Sequence, residues 1–294
     1  MNSKIKFYKT GEEFLPDFLS ELRKAEKFIY MEYYIISIGK FWNTILEILK
    51  EKVRRGVTVH IVYDALGSIR LPLGYVSYLE KSGIDVTVIN LFQSHRDHRK
   101  ITIIDGKTAF TGGINLADEY VGLKTRFGYW KDCAVKISSD AKGIFTFESN
   151  PHIMPSKAAL FYHNIIKKAG KYIYIMTPYL SLDKISAQEL FKKNIDIKII
   201  TPHIPDKPIV HMFSRLNYGI LKEHNIQIYE YIPGFLHSKI ILSDDKFAIL
   251  GSINFDYFSF HSNFENGVYI QNSEIIDDIK EDFLNTIKKS KKIK

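Results

Sequence analysis

The chain is poor in cysteine, with Cys133 alone among 294 residues, so no internal disulfide can staple it. That excludes a small secreted disulfide scaffold. No run approaches the ~18 apolar residues a membrane-crossing helix requires. The opening "MNSKIKFYKTGEEF" lacks an apolar stretch of leader type. A reducing, cytoplasmic location is therefore expected, with any membrane contact peripheral. Acidic residues are in deficit, 33 against 41 Lys and Arg, giving a net charge of +8. A basic surface favours anionic partners such as phospholipid headgroups, phosphate esters or nucleic acid. The tail "KKSKKIK" adds to that charge.

What the chain does have is a repeat, with corresponding pieces about 140 residues apart. Short β-branched runs, "FIYMEYYII", "VTVHIVYD" and "IDVTVI", alternate with helical patterns such as "FWNTILEILKEKVRRG". The second half repeats the scheme with "YIYIMTPYL", "IDIKIITP" and "IQIYEYI", and a helix is expected over "IVHMFSRLNYGILKEHN". Strands apolar on both faces predict an α/β fold in which each mixed sheet is flanked by helices. Turn residues Asp140, Gly143, Pro151 and Pro155 divide the chain into a first half, 1–140, a linker, 141–155, and a second half, 156–294. The two halves are expected to pack about a pseudo-two-fold axis.

Each half carries one long motif: His, any residue, Lys, four residues, Asp, six residues, Gly-Gly or Gly-Ser, any residue, Asn. It is filled by His98, Lys100, Asp105, Gly112, Gly113 and Asn115, and again by His237, Lys239, Asp244, Gly251, Ser252 and Asn254. On a strand, His and Lys two residues apart share a face. An ammonium beside an imidazole disfavours the imidazolium unless an anion lies between them. A phosphate meets that need, and Asn115, Asn254, Ser252 and the turn N–H groups are candidate donors to it. If both motifs meet at one cleft, one imidazole can attack phosphorus while the other protonates the leaving alkoxide. No metal or cofactor is needed for that chemistry. Asp105 and Asp244, at strand-to-turn junctions, are expected to brace the motifs. Glu32, a carboxylate within "MEYYII", is a candidate substrate-site residue, and Phe235 and Leu236 are candidates for lipid contact.

The duplicated motif resembles that of the phospholipase D superfamily, and "YWKDCAVKI", "TPYL", "IQIYEYIPGFLHSKIILSDDKFAILGSINFD" and "NFENGVYI" are similar to its cardiolipin synthase branch. The resemblance implies a nucleophilic histidine, commonly the first (here His98), a second histidine acting as acid, and an orienting carboxylate for each. Asp132 and Glu265 match those carboxylates best. It also implies a phosphatidyl-histidine intermediate captured by a second phosphatidylglycerol, giving cardiolipin and glycerol. A phosphodiesterase of the same superfamily, hydrolysing phospholipid or nucleic acid, is the alternative. The chain departs from the pattern at Phe258, where the superfamily commonly has arginine.

Overall fold

A computed structural model describes residues 4–89 and 95–294. The first half forms a sheet in the order Ile5–Tyr8, Ala134–Ser138, Thr108–Gly112, Lys100–Ile104, Phe28–Tyr33, Thr58–Asp64, Asp85–Ile89. The last three strands run parallel and the others pair antiparallel. The second half reproduces this order: Ile144–Ser149, Asn263–Gln271, Phe247–Gly251, Ile240–Ser243, Tyr172–Met176, Asp196–Pro202, Gln227–Tyr231, with Ser290–Lys292 added at the edge. The segment 141–155 contributes the strand Ile144–Ser149, which pairs with Asn263–Gln271 as Ile5–Tyr8 pairs with Ala134–Ser138. Each repeat thus opens on an edge strand that closes against its own last long strand.

Helices cover the outer face of each sheet. Gly11–Lys24 is capped by Thr10, whose hydroxyl accepts from the Glu13 N–H at 3.2 Å, and it buries Phe14, Phe18 and Leu22 at helical spacing. Lys40–Arg54 adds Trp42, Ile45 and Leu49 to that core. In the second half Lys157–Lys168, capped by Ser156, buries Tyr162, Ile165 and Ile166. A third core lies between the sheets, where Val135 and Ile137 meet Leu242, Leu250 and Val268, with Ile279 and Phe283 of the helix Ile275–Ile287. This seam explains the strands that are apolar on both faces: one face receives helices, the other the opposite sheet. No helix among the described residues is long and apolar enough to cross a membrane.

Two short parallel pairings cross between the halves. Arg96–Asp97 runs beside Asn263–Phe264, and Tyr129–Lys131 beside Gly234–Leu236. Both sit next to the repeated motifs, and their register determines what each histidine meets.

Candidate active site

The pairing Asp97↔Phe264 puts residue 98 opposite residue 265, and Leu236↔Lys131 puts 237 opposite 132. The His98 N–H donates to the Phe264 carbonyl at 2.9 Å and the His237 N–H to the Lys131 carbonyl at 2.7 Å. Each imidazole therefore meets the carboxylate of the other half. His98 Nδ1 lies 3.0 Å from both Glu265 oxygens, and His237 Nδ1 lies 2.6 Å from Asp132 Oδ2. A carboxylate on Nδ1 fixes the proton there and leaves Nε2 its lone pair. Asp132 Oδ1 is held in turn by the Cys133 N–H at 2.8 Å. Gly113 is required beside it, since a Cβ there would stand 2.0 Å from that oxygen.

Glu265 is more heavily braced. Ser252 Oγ donates to it, Ser259 Oγ donates at 2.8 Å, and Asn263 Nδ2 lies at 3.3 Å. Ser252, expected at the phosphate, thus has its hydroxyl on a carboxylate, because the second turn folds back over Asn266. Asn115 reaches the cavity wall, but its amide already serves the Ile35 N–H at 3.1 Å and the Tyr120 hydroxyl at 2.9 Å. The Asn254 backbone N–H donates to Ser259 Oγ at 3.0 Å, and the buried Asn254 Oδ1 has no partner among the described residues. Asp105 accepts the N–H groups of Glu26, Lys27 and Phe28 at 2.8–2.9 Å, and Asp244 those of Gly170, Lys171 and Tyr172 at 2.7–3.0 Å. Both carboxylates tie the motif strand to the start of its neighbour, away from the cavity.

His98 and His237 line one cavity of about 340 Å³. Lys100 and Lys239 do not line it; both are almost wholly buried, each Nζ donating to the carbonyl of its own histidine. Burial pushes Lys100 down to about 7 and Lys239 down to about 8, against the pull of Glu265 and Asp132. Burial also lowers His98, although Glu265 opposes the shift. His237 is pushed to about 3 by burial and by Lys239, with Asp132 opposing. Burial would raise both carboxylates, but the facing imidazoles and the lysines hold Asp132 and Glu265 below their ordinary values. Two lysines, Lys100 partly neutral near pH 7, thus stand against two carboxylates around two neutral imidazoles.

Two expectations are corrected. Glu32 pairs in register with Ile101, on the face opposite Lys100, and binds Arg99 at 2.6 Å in a separate cavity of about 560 Å³. Burial there, with Asp97 alongside, raises it to about 8. The alternation of the strand, not the symmetry of the repeat, decides where it points. Phe235 and Leu236 have no exposed surface, and Phe235 packs on Trp130 at 4.9 Å between ring centres, because the crossing strand Gly234–Leu236 draws them into the seam. The motif reading also missed part of the cavity wall: Tyr120, Trp130, Tyr179 and Asp206. Asp206 follows the carboxyl end of the strand Asp196–Pro202, where open α/β sheets bind ligands, and that position was the available signal.

The family described as "Cardiolipin synthase, PLD-like domain" matches residues 18–127 and 162–287, one stretch in each half. An uncharacterized protein of Streptococcus mutans is 36% identical over 99% of this chain and 73% of its own length. Cardiolipin synthase 2 of Bacillus cereus is 32% identical over 96% of this chain, which spans 64% of that enzyme. Among solved structures, phosphatidylserine synthase of Haemophilus influenzae superposes with a TM-score of 0.80 at 14% identity, covering 99% of this chain and 87% of that one. That likeness shows the fold.

Proposed function

The chain belongs to the family of cardiolipin synthase PLD-like domains, and we propose on that basis that it transfers a phosphatidyl group from one phosphatidylglycerol to another, forming cardiolipin and releasing glycerol. The observation that carries the reading is the exchanged pair of His–carboxylate couples facing one cavity, each histidine's carbonyl held by a buried lysine. His98 Nε2 attacks phosphorus and becomes phosphatidyl-histidine. His237, as imidazolium, gives its proton to the departing glycerol oxygen. Lys100 and Lys239 offset the charge on the phosphoryl oxygens. In the second step neutral His237 takes the proton from the hydroxyl of the second lipid as that oxygen attacks phosphorus and His98 leaves. Ser252 and Ser259 act through Glu265, and Asp105 and Asp244 hold the motif strands.

Contact with a bilayer is supported by an apolar surface at the cavity mouth. The helix Pro208–Leu216 starts directly after Asp206 and Lys207, which line the cavity, and leaves Ile209, Met212, Phe213 and Leu216 between 55% and 70% exposed. The neighbouring helix Tyr257–His261 exposes Tyr257 and Phe258. The two are joined through Leu180, which donates to Ser214 Oγ at 3.0 Å and bridges to Phe255. An exposed ridge of this kind beside a basic surface fits an anionic lipid interface.

The test is incubation of the pure protein with phosphatidylglycerol vesicles. Glycerol release matched by a four-chain lipid of cardiolipin mass is expected. Phosphatidic acid with no cardiolipin would convert the reading to hydrolysis, and nicking of plasmid DNA without lipid turnover would overturn it.

A further inference from the structure

Among the described residues, few buried side-chain polar atoms go without a hydrogen-bond partner, and Asp206 Oδ1 and Trp130 Nε1 are among them. Both residues line the cavity that holds His98 and His237, one contributed by each half. The other Asp206 oxygen is engaged, accepting from the Tyr179 hydroxyl at 2.6 Å. Lys207 lies over the Tyr179 ring, 5.2 Å from its centre. Trp130 is fixed by Phe235 and by His237, 4.9 and 5.5 Å away between ring centres.

An orphaned carboxylate oxygen calls for an O–H or N–H donor, and an orphaned indole N–H calls for an acceptor. A phosphodiester satisfies only the second. A simple alcohol has one O–H, which is committed at phosphorus during transfer. A glycerol headgroup brings further hydroxyls, each both donor and acceptor. An ammonium headgroup would also suit a carboxylate, but Lys207 lines the same cavity and repels it, while Arg126 there is paired with Glu119 at 3.2 Å.

We propose that Asp206, held by Tyr179 and assisted by Trp130, forms a polyol subsite that selects the alcohol exchanged at phosphorus. The inference rests on the phosphatidyl-transfer reading and adds the group that recognises the glycerol moiety. Asp206 is a specificity residue touching the hydroxyl next to the reacting one, and Tyr179 is its positioning residue.

The experiment supplies phosphatidylglycerol vesicles with isotope-labelled glycerol, ethanol or ethanolamine as acceptor and compares kcat/KM for each labelled phosphatidyl-alcohol product. The native chain should prefer glycerol to both competitors. Asp206→Asn should lower the glycerol-over-ethanol ratio roughly 10- to 100-fold, the loss of one charged hydrogen bond, chiefly through the KM for glycerol. Tyr179→Phe should move the ratio the same way by less. An unchanged ratio in Asp206→Asn would overturn the inference. So would a folded Asp206→Asn protein that loses transfer to both alcohols equally, or a native preference for ethanolamine. Should Asp206→Asn fail to fold, the ratio in Tyr179→Phe decides by the same criterion. Absence of phosphatidyl transfer by the native chain to any acceptor would instead defeat the parent reading.

Discussion

At the scale of single residues, the chemistry depends on which nitrogen of each imidazole carries a proton. Replacing Asp132 by Asn keeps the shape of the partner but removes the charge that holds Nδ1–H of His237. Asp132→Asn is expected to reduce kcat by roughly 10³–10⁴-fold, as loss of the orienting carboxylate does in other imidazole-based sites, read as glycerol released per second. Glu265→Gln should do the same through His98, whereas models in which each carboxylate serves its own half would tie Asp132 to His98. Mass analysis of protein quenched in denaturant at neutral to mildly alkaline pH, where a P–N bond to histidine survives, separates the two. With Asp132→Asn the phosphatidyl adduct should still form on His98, although slowly, and with Glu265→Gln it should not accumulate. The site also dictates a pH dependence. Burial holds Lys100 and Lys239 down to about 7 and 8 and His237 to about 3, and a bound anion raises all three. Anion binding therefore takes up protons, and affinity for sulfate, which does not titrate in this range, should fall as pH rises through about 7 to 8. Titration calorimetry in buffers of different ionisation enthalpy would show it, and proton release on binding would refute it. In the empty protein the unfolded chain binds more protons than the folded one between His237's ordinary 6.5 and its folded value of about 3, so stability should fall as pH drops through that window.

At the scale of elements, each motif strand is fastened at its far end. Asp105 and Asp244 adopt φ of 54° and 58°, a left-handed conformation that Asp tolerates better than most residues, and each carboxylate caps three backbone N–H groups. Asp244→Ala is expected to cost about 1–3 kcal/mol, measured by chemical denaturation, since the donors it leaves are partly open to water. A loss of rate in the folded protein comparable to that of His237→Ala would show instead that Asp244 touches substrate. Much at this level was legible in the sequence. The short β-branched strands, the helix Lys40–Arg54 and the bracing role all follow from local pattern. The helical pattern "IVHMFSRLNYGILKEHN" gives two helices rather than one, divided at Asn217, whose side-chain amide turns to the Leu180 carbonyl at 3.2 Å. Such a break depends on a neighbour 37 positions away, which periodicity does not report.

At the scale of the whole molecule, the ridge on Pro208–Leu216 and the net charge of +8 bear on how a lipid reaches the cavity. Burying such side chains in acyl chains contributes on the order of 1 kcal/mol or more each. Phe213→Asp with Leu216→Asp should lower binding to phosphatidylglycerol vesicles at least about tenfold in sedimentation assays. Transfer from short-chain, dispersed phosphatidylglycerol should survive the same double change. Equal loss on both substrates would assign the ridge to folding rather than to the interface. Raising the salt should weaken vesicle binding by the native chain, because its charge contribution is screened over about 10 Å at 0.1 M.

The sequence by itself determined the duplicated α/β plan and the two His-Lys-Asp motifs, because these rest on periods and spacings that neighbours along the chain enforce. Tertiary structure decided the exchange of carboxylates, the burial of Phe235 and Leu236, the removal of Glu32 to another cavity and the placing of Asp206 and Trp130 beside the imidazoles. The exchange of carboxylates and the burial of Phe235 and Leu236 turn on two short strand pairings between segments more than a hundred residues apart. A shift of one residue in either register would put a different side chain against each histidine, and nothing in the local sequence specifies it.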